Sequence, residues 1–353
     1  MGYKKMGAEI SFADLAVSKS LQHNHSVKLM NRINKVVNWE NIEALLGEYY
    51  EVGMSKEGAD AYPPLMLLKG RLLQKWFRIP LDPELENQIN ERISFKKFLG
   101  LPLDKPFPDH STFSRFRSRL SKEAMAKLNS EVLQDFSRKG FSINEGIAVD
   151  ARLVKSASKP MSNDEIRKQK EKRSAIEGSV DKDGKPLKFS RDMESDWTIK
   201  DDEPHYGLKE HVSVDTENGF VLATTLTPAS IHDSKYLPYL ALASCHTGDP
   251  IEMVYADKGY YGEPNRAFLQ LNDIKDGIMR KDTPAAKITE IEMERNKSIS
   301  KKRYIVEQYF GLSHLHYGAC RARFTNIVKN TWDAMCRQMA FNLFRGSRLL
   351  TQT

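Results

Sequence analysis

Apolar side chains recur at helical spacing through the first 140 residues. Leu65, Leu68, Leu72 and Trp76 fall every three or four positions, and Pro64 can open the helix that carries them. A second helix after Asp82-Pro83 keeps Leu85, Ile89 and Ile93 in register. Pro102, Pro106 and Pro108 mark a loop, after which Asp109 or Ser111 can cap a helix with Phe113, Phe116 and Leu120 inward. A further helix is expected from Lys122 to Lys139, stopped by Gly140.

At Phe141 the period changes to short β-type runs: Gly146 to Asp150, His211 to Asp215, Phe220 to Thr227, Ile251 to Ala256 and Gly277 to Met279. Asn218-Gly219 suits a hairpin turn. An apolar stretch from Ser234 to Ser244 joins the third and fourth runs, and a helix near Asn265 to Leu271 joins the last two. The order predicts an α/β fold, a mixed five-stranded sheet flanked by helices, with an all-α domain over 1–140 before it and the sheet domain over 141–353. A charged insertion at about 155–205 has little apolar periodicity and is expected to be mobile, with Trp197 as a local anchor rather than a base-stacking group. The C-terminal helix carries Val328, Trp332, Met335, Met339 and Leu343 as one stripe, which packs on the core or, less simply, forms a dimer seam.

With 353 residues the chain can bury a sizeable core without staples. Cys245, Cys320 and Cys336 form no Cys-x-x-Cys pair, so reduced thiols are expected and zinc is not. Nowhere do eighteen apolar residues run together, so neither a membrane partner nor secretion is expected, and the location inferred is cytoplasmic. The net charge is +7. From Arg280 to Thr353 fourteen Lys or Arg stand against six Asp or Glu, a surplus of eight that exceeds that of the whole chain. A polyanionic partner fits this concentration, although a solvated helix face explains any single charge equally well.

Three acidic residues suggest chemistry. Asp150 ends Gly-Ile-Ala-Val-Asp, Asp257 ends Met-Val-Tyr-Ala-Asp, and Glu307 lies inside Arg-Tyr-Ile-Val-Glu-Gln-Tyr-Phe-Gly. A strand that stops at Asp puts the carboxylate at a sheet edge, and a neighbouring helix can bring Glu307 to it. Oxygen ligands alone suit Mg²⁺, with Mn²⁺ as a substitute, and two such ions grip the attacking and leaving oxygens of a phosphodiester. Each Asp alone is an ordinary turn or cap residue. Glu290, Glu292 and Glu294 compete with Glu307, and spacing selects the last: Arg303, Glu307, Phe310 and His314 share one helical stripe. The plainer reading of that stripe is a surface ion pair beside a half-buried ring.

Lys258 sits among glycines that permit close backbone approach, and Arg152 follows Asp150; both can meet a phosphate. Arg115 and Arg119 share a helix face that either reads DNA or is simply solvated. Lys209 and His211 share a strand face, where the imidazole is either near the metals or a satisfied half-buried group. His232-Asp233-Ser234 is no triad, because no Gly-x-Ser-x-Gly elbow exists and Asp233 can cap the following helix.

Ala-Val-Asp-Ala-Arg, Tyr-Gly-Leu-Lys-Glu-His, Ala-Ser-Ile-His-Asp-Ser, Tyr-Ala-Asp-Lys-Gly-Tyr-Tyr-Gly and the Glu307 segment together resemble bacterial DDE transposases of the insertion-sequence-5 group. Pro-Asp-His-Ser-Thr-Phe-Ser-Arg-Phe-Arg-Ser-Arg-Leu is similar to the end of that group's helical domain, so the likeness runs from about Tyr62 to Arg323. It implies a ribonuclease-H-like domain with Asp150 on the first strand, Asp257 after the fourth and Glu307 on the next helix. Arg303 and Glu307 match the group's Glu-helix signature, while Ser300 stands at its Tyr position and His314 at its Lys position. The separation of 50 positions from Asp257 to Glu307 leaves no room for the large β insertion of a related group.

The resemblance implies two-metal catalysis by Asp150, Asp257 and Glu307, and DNA contacts from Arg303, His314, Lys258, Arg152, Arg115, Arg119 and Lys209. The partners expected are terminal inverted repeats, target DNA and a second copy of the chain in a synapsed homodimer, with no small-molecule substrate. A non-cutting DNA-binding protein and a metal-dependent nuclease without strand transfer are the alternatives.

Overall fold

Seven helices precede the first strand among the residues that this computed structural model describes, which are 3–4, 23–53, 60–143, 145–176, 179, 192–246, 251–284 and 287–351. They are α1 (His25–Val36), α2 (Trp39–Tyr49), α3 (Pro64–Trp76), α4 (Asp82–Glu91), α5 (Ile93–Leu99), α6 (His110–Arg119) and α7 (Lys122–Arg138). Asp109 is the cap of α6, its carboxylate accepting from the Ser111 amide at 2.7 Å, and Phe113 and Phe116 are fully buried beneath. The stripe expected after Asp82-Pro83 is split. Leu85 and Ile89 are buried in α4, but the helix ends at Arg92 and Ile93 starts α5 partly exposed.

Six strands form one sheet: β1 (Ile147–Lys155), β2 (Asp196–Lys200), β3 (Glu203–Asp215), β4 (Val221–Pro228), β5 (Met253–Ala256) and β6 (Lys275–Ile278). β3 lies antiparallel to β1 from Ile147↔Asp215 to Lys155↔Gly207, and its other edge pairs first with β2 and then with β4. β5 joins β1 in parallel, and β6 joins β5 in parallel. This mixed sheet, flanked by helices and preceded by a helical region, is the α/β arrangement that the order of elements predicts, with one strand more than the five expected. At the β3–β4 hairpin Gly219 adopts φ 72°, which a side chain disfavours, and the Asp215 carboxylate accepts from its amide at 3.1 Å.

Three features differ from the sequence reading. β1 does not stop at Asp150 but runs on to Lys155, because β3 starts at Glu203 and supplies partners for the extra length. The interval expected as an insertion contributes α8 (Asn163–Ile176) and the sixth strand, β2. Trp197 on β2 is a local anchor, its indole N–H donating to the Met161 carbonyl at 2.7 Å and its ring against Tyr206.

After β4 come a 3₁₀ turn (Asp233–Tyr236), α9 (Leu237–Ala243), β5, a second 3₁₀ turn (Lys258–Tyr260), α10 (Glu263–Leu271), β6, α11 (Glu290–Tyr317) and α12 (Ile327–Leu349). α12 joins the two regions. Trp332, Met335, Met339 and Leu343 are buried as expected, whereas Val328 is exposed in the first turn. Gln338 and Asn342 donate to backbone carbonyls of β4 at 2.8 to 3.0 Å, closing that strand's outer edge. A Cβ on Gly346 would stand 2.2 Å from the Phe136 ring, so the close approach of α12 to α7 requires glycine. None of the described helices is long and apolar enough to cross a membrane.

Candidate active site

β5 ends at Ala256, and Asp257 immediately caps the next 3₁₀ turn, its Oδ1 accepting from the Gly259 amide at 2.8 Å. Ala148 of β1 stands opposite Tyr255 in parallel register. Two residues further along each chain, Asp150 and Asp257 come level where β5 gives out. Asp150 is therefore reachable because its neighbour ends, not because its own strand does.

α11 crosses β1 and is tied to it twice. Arg303 Nη2 donates to Asp150 Oδ2 at 2.9 Å. One turn beyond Glu307, the Phe310 carbonyl accepts from Arg152 Nη1 at 3.4 Å, and the Arg152 guanidinium lies 5.2 Å from the Phe310 ring centre. Glu307, four residues after Arg303 and three before Phe310, is exposed on the turn between these ties.

Burial pushes the Asp150 carboxyl up to about 6, Arg303 opposes the rise, and the charges of Asp257 and Asp233 reinforce it. A desolvated carboxylate surrounded by others of its kind attracts cations, and its donors are all oxygens, so the residues fit a hard divalent ion. Among the described residues, ligand atoms that all lie within 4.8 Å of one another occur at Glu86, Asp109 and His110; Asp150, Asp257 and Glu307 are not gathered that tightly.

The expected DNA contacts divide into two sets. Lys258, His314, Arg115 and Arg119 are exposed, Arg115 leaning on Ser111 Oγ at 2.8 Å. Arg303, Arg152 and Lys209 are instead taken up in ion pairs with carboxylates of the chain. Arg303 is 8% exposed against Asp150. Arg152 Nε donates to Glu210 at 2.8 Å. Lys209 Nζ lies 2.9 Å from Asp233 Oδ1. Because β1 continues past Asp150, Arg152 stays in the sheet, where the fully buried Glu210 requires a counter-ion.

Glu210 is the main residue that the sequence reading passed over. Arg337 of α12 donates to its other oxygen at 2.6 Å, and the two guanidinium groups hold its carboxyl down to about 2 against the opposing effect of burial. A signal existed: Leu208, Glu210, Val212 and Val214 alternate on one strand face, so Glu210 occupies a core position. His211 is fully buried, not half-buried, with Nε2 2.8 Å from Thr227 Oγ1 and its ring stacked on Tyr236. His232, rather than Asp233, caps the turn that follows, its ring nitrogen accepting from the Ser234 amide.

Two family models match the chain: "Transposase domain (DUF772)" over residues 16–119 and "Transposase DDE domain" over residues 143–343. Among solved structures, the chain is similar to the piggyBac transposase synaptic complex with hairpin DNA seen by cryo-EM, at 10% identity and a TM-score of 0.43, over 93% of this chain and 75% of that one.

Proposed function

The chain belongs to the DDE transposases, DNA-cleaving and strand-transferring enzymes that depend on divalent metal, and on that premise we propose that it binds the terminal inverted repeats of an insertion sequence, nicks DNA with water and transfers the freed 3′-hydroxyl to target DNA. The reading rests on one relationship: β1 and β5 run in parallel register through Ala148 and Tyr255, and α11 crosses β1 at Arg303 and Phe310. On this reading Asp150, Asp257 and Glu307 would together hold the divalent cations. Mg²⁺, or Mn²⁺ in its place, lowers the pKa of the nucleophile and neutralises charge at phosphorus when bound.

The chain's own groups orient the reactants. Arg303 steadies the Asp150 carboxylate, and Arg152, fixed by Glu210, sets how α11 lies on β1. Lys258 and His314 offer exposed donors to the DNA backbone, and Arg115 and Arg119 offer cations on α6 for the inverted repeats. Synapsis of two ends calls for a homodimer, acting on DNA in the bacterial cytoplasm.

Asp150→Asn, Asp257→Asn and Glu307→Gln are each expected to bind end DNA and fail to cut it in Mg²⁺. Full cleavage by any one removes that residue from the site. A donor-plus-target assay should yield joined product, and cut ends that never join would reduce the activity to that of a nuclease.

A further inference from the structure

Two groups outside the predicted trio stand at the same end of the sheet. Asp233 opens the 3₁₀ turn that packs on the turn capped by Asp257. Its Oδ1 lies 2.9 Å from Lys209 Nζ, which also donates to the Ile231 carbonyl. The other group is the Tyr260 hydroxyl. Tyr260 is 1% exposed, and its hydroxyl makes no hydrogen bond. Tyr260 closes the turn that Asp257 caps, and after burial the charges of Asp150, Asp233 and Asp257 raise its hydroxyl's pKa while that of Arg303 lowers it, so these groups are its charged neighbours.

A buried hydroxyl without a partner is costly, and one kept beside three carboxylates is placed to donate once their charge is compensated. The charges point the same way. Asp150, Asp233, Asp257 and Glu307 carry four negative charges, while Arg303 and Lys209, the cations paired with them, carry two. The remainder equals one divalent cation. If Lys209 turns to a phosphate, a second is called for.

Resting on the trio proposed above, we infer that Asp233 is a fourth carboxylate of the divalent-cation site, held by Lys209 until a cation takes that place, with the Tyr260 hydroxyl donating to the oxygen ligands. No step of the cleavage depends on Asp233 as a proton donor or nucleophile. It holds charge and sets cation affinity.

The test is a titration of the full chain with MnCl₂ in the absence of DNA, following free Mn²⁺ by electron paramagnetic resonance. Asp233→Asn should lose at least one class of bound Mn²⁺ or weaken it by about tenfold. Lys209→Gln should tighten binding several-fold, since a competing cation is gone, and this is the opposite of what loss of a merely structural ion pair would do. Asp150→Asn serves as the reference. If it loses Mn²⁺ while Asp233→Asn binds as the wild type does, the fourth carboxylate is wrong and the trio stands. If Asp150→Asn also binds normally, the trio itself falls. Should Asp233→Asn fail to fold, a Lys209→Gln isotherm no tighter than wild type overturns the inference.

Discussion

Arg303 on α11 and Asp150 on β1 meet through a 2.9 Å contact between Nη2 and Oδ2, the one ion pair of the described residues that joins the Glu307 helix to an expected catalytic carboxylate. Burial lifts the Asp150 carboxyl to about 6, and Arg303 is the largest influence holding it down. Removing the guanidinium therefore raises it further. In Arg303→Gln, the midpoint of Mg²⁺-dependent cleavage against pH should move upward from that of the wild type. A midpoint that stays put would mean that the pair does not control the carboxylate.

Glu210 is fully buried between Arg152 and Arg337, and breaking a buried pair from one side leaves a charge without its partner. Glu210→Gln should destabilise the chain by about 3–5 kcal/mol, read by chemical denaturation. Its folded carboxyl is held at about 2, below the ordinary 4.5, so its contribution is present above 4.5 and is lost as pH falls toward 2. Equal denaturation midpoints for variant and wild type would contradict this.

His211 offers a second pH test. Burial lowers its imidazole to about 4 from the ordinary 6.5, so the unfolded chain takes up a proton in that interval while the folded chain does not. The stability this gives is complete above 6.5 and disappears as pH drops to about 4. Relative to His211→Gln, the wild type should lose on the order of 3 kcal/mol across the window, a comparison that cancels the titration of other groups. Parallel stability curves for the two proteins would show that His211 ionises normally.

Arg115 and Arg119 are exposed on α6 and carry the proposed DNA contact there. Arg115→Ala and Arg119→Ala should each weaken end binding and flatten the slope of log affinity against log salt by about 1, because one fewer counterion is released. Wild-type slopes in both would leave α6 as a structural helix whose work is done by buried Phe113 and Phe116.

Much of this was legible in local pattern, and the failures share a cause. Phe113, Phe116 and, Val328 apart, the α12 stripe announce their burial by spacing, and the five main strands are announced by β-type runs. The length of β1 was hidden because Arg152 reads as a polar terminator. Only Glu210, 58 residues away, gives it a partner within the sheet. β2 was missed because it is short and mostly polar, with Ile199 75% exposed. For the proposed site, the sequence named Asp150, Asp257 and Glu307 as candidates. It could not show that Arg303 pairs with Asp150, or that Asp233 and Tyr260 stand beside it, because these relations arise only from the packing of α11 on β1 and of the two 3₁₀ turns on each other.

The most direct measurement is anomalous diffraction from crystals of the chain bound to end DNA and soaked in Mn²⁺. Peaks bordered by Asp150, Asp257 and Glu307, with carboxylate oxygens at about 2.0–2.2 Å, are the expected result. Peaks confined to Glu86, Asp109 and His110, or a site that leaves any of the three carboxylates out of coordination in the DNA complex, would contradict the account.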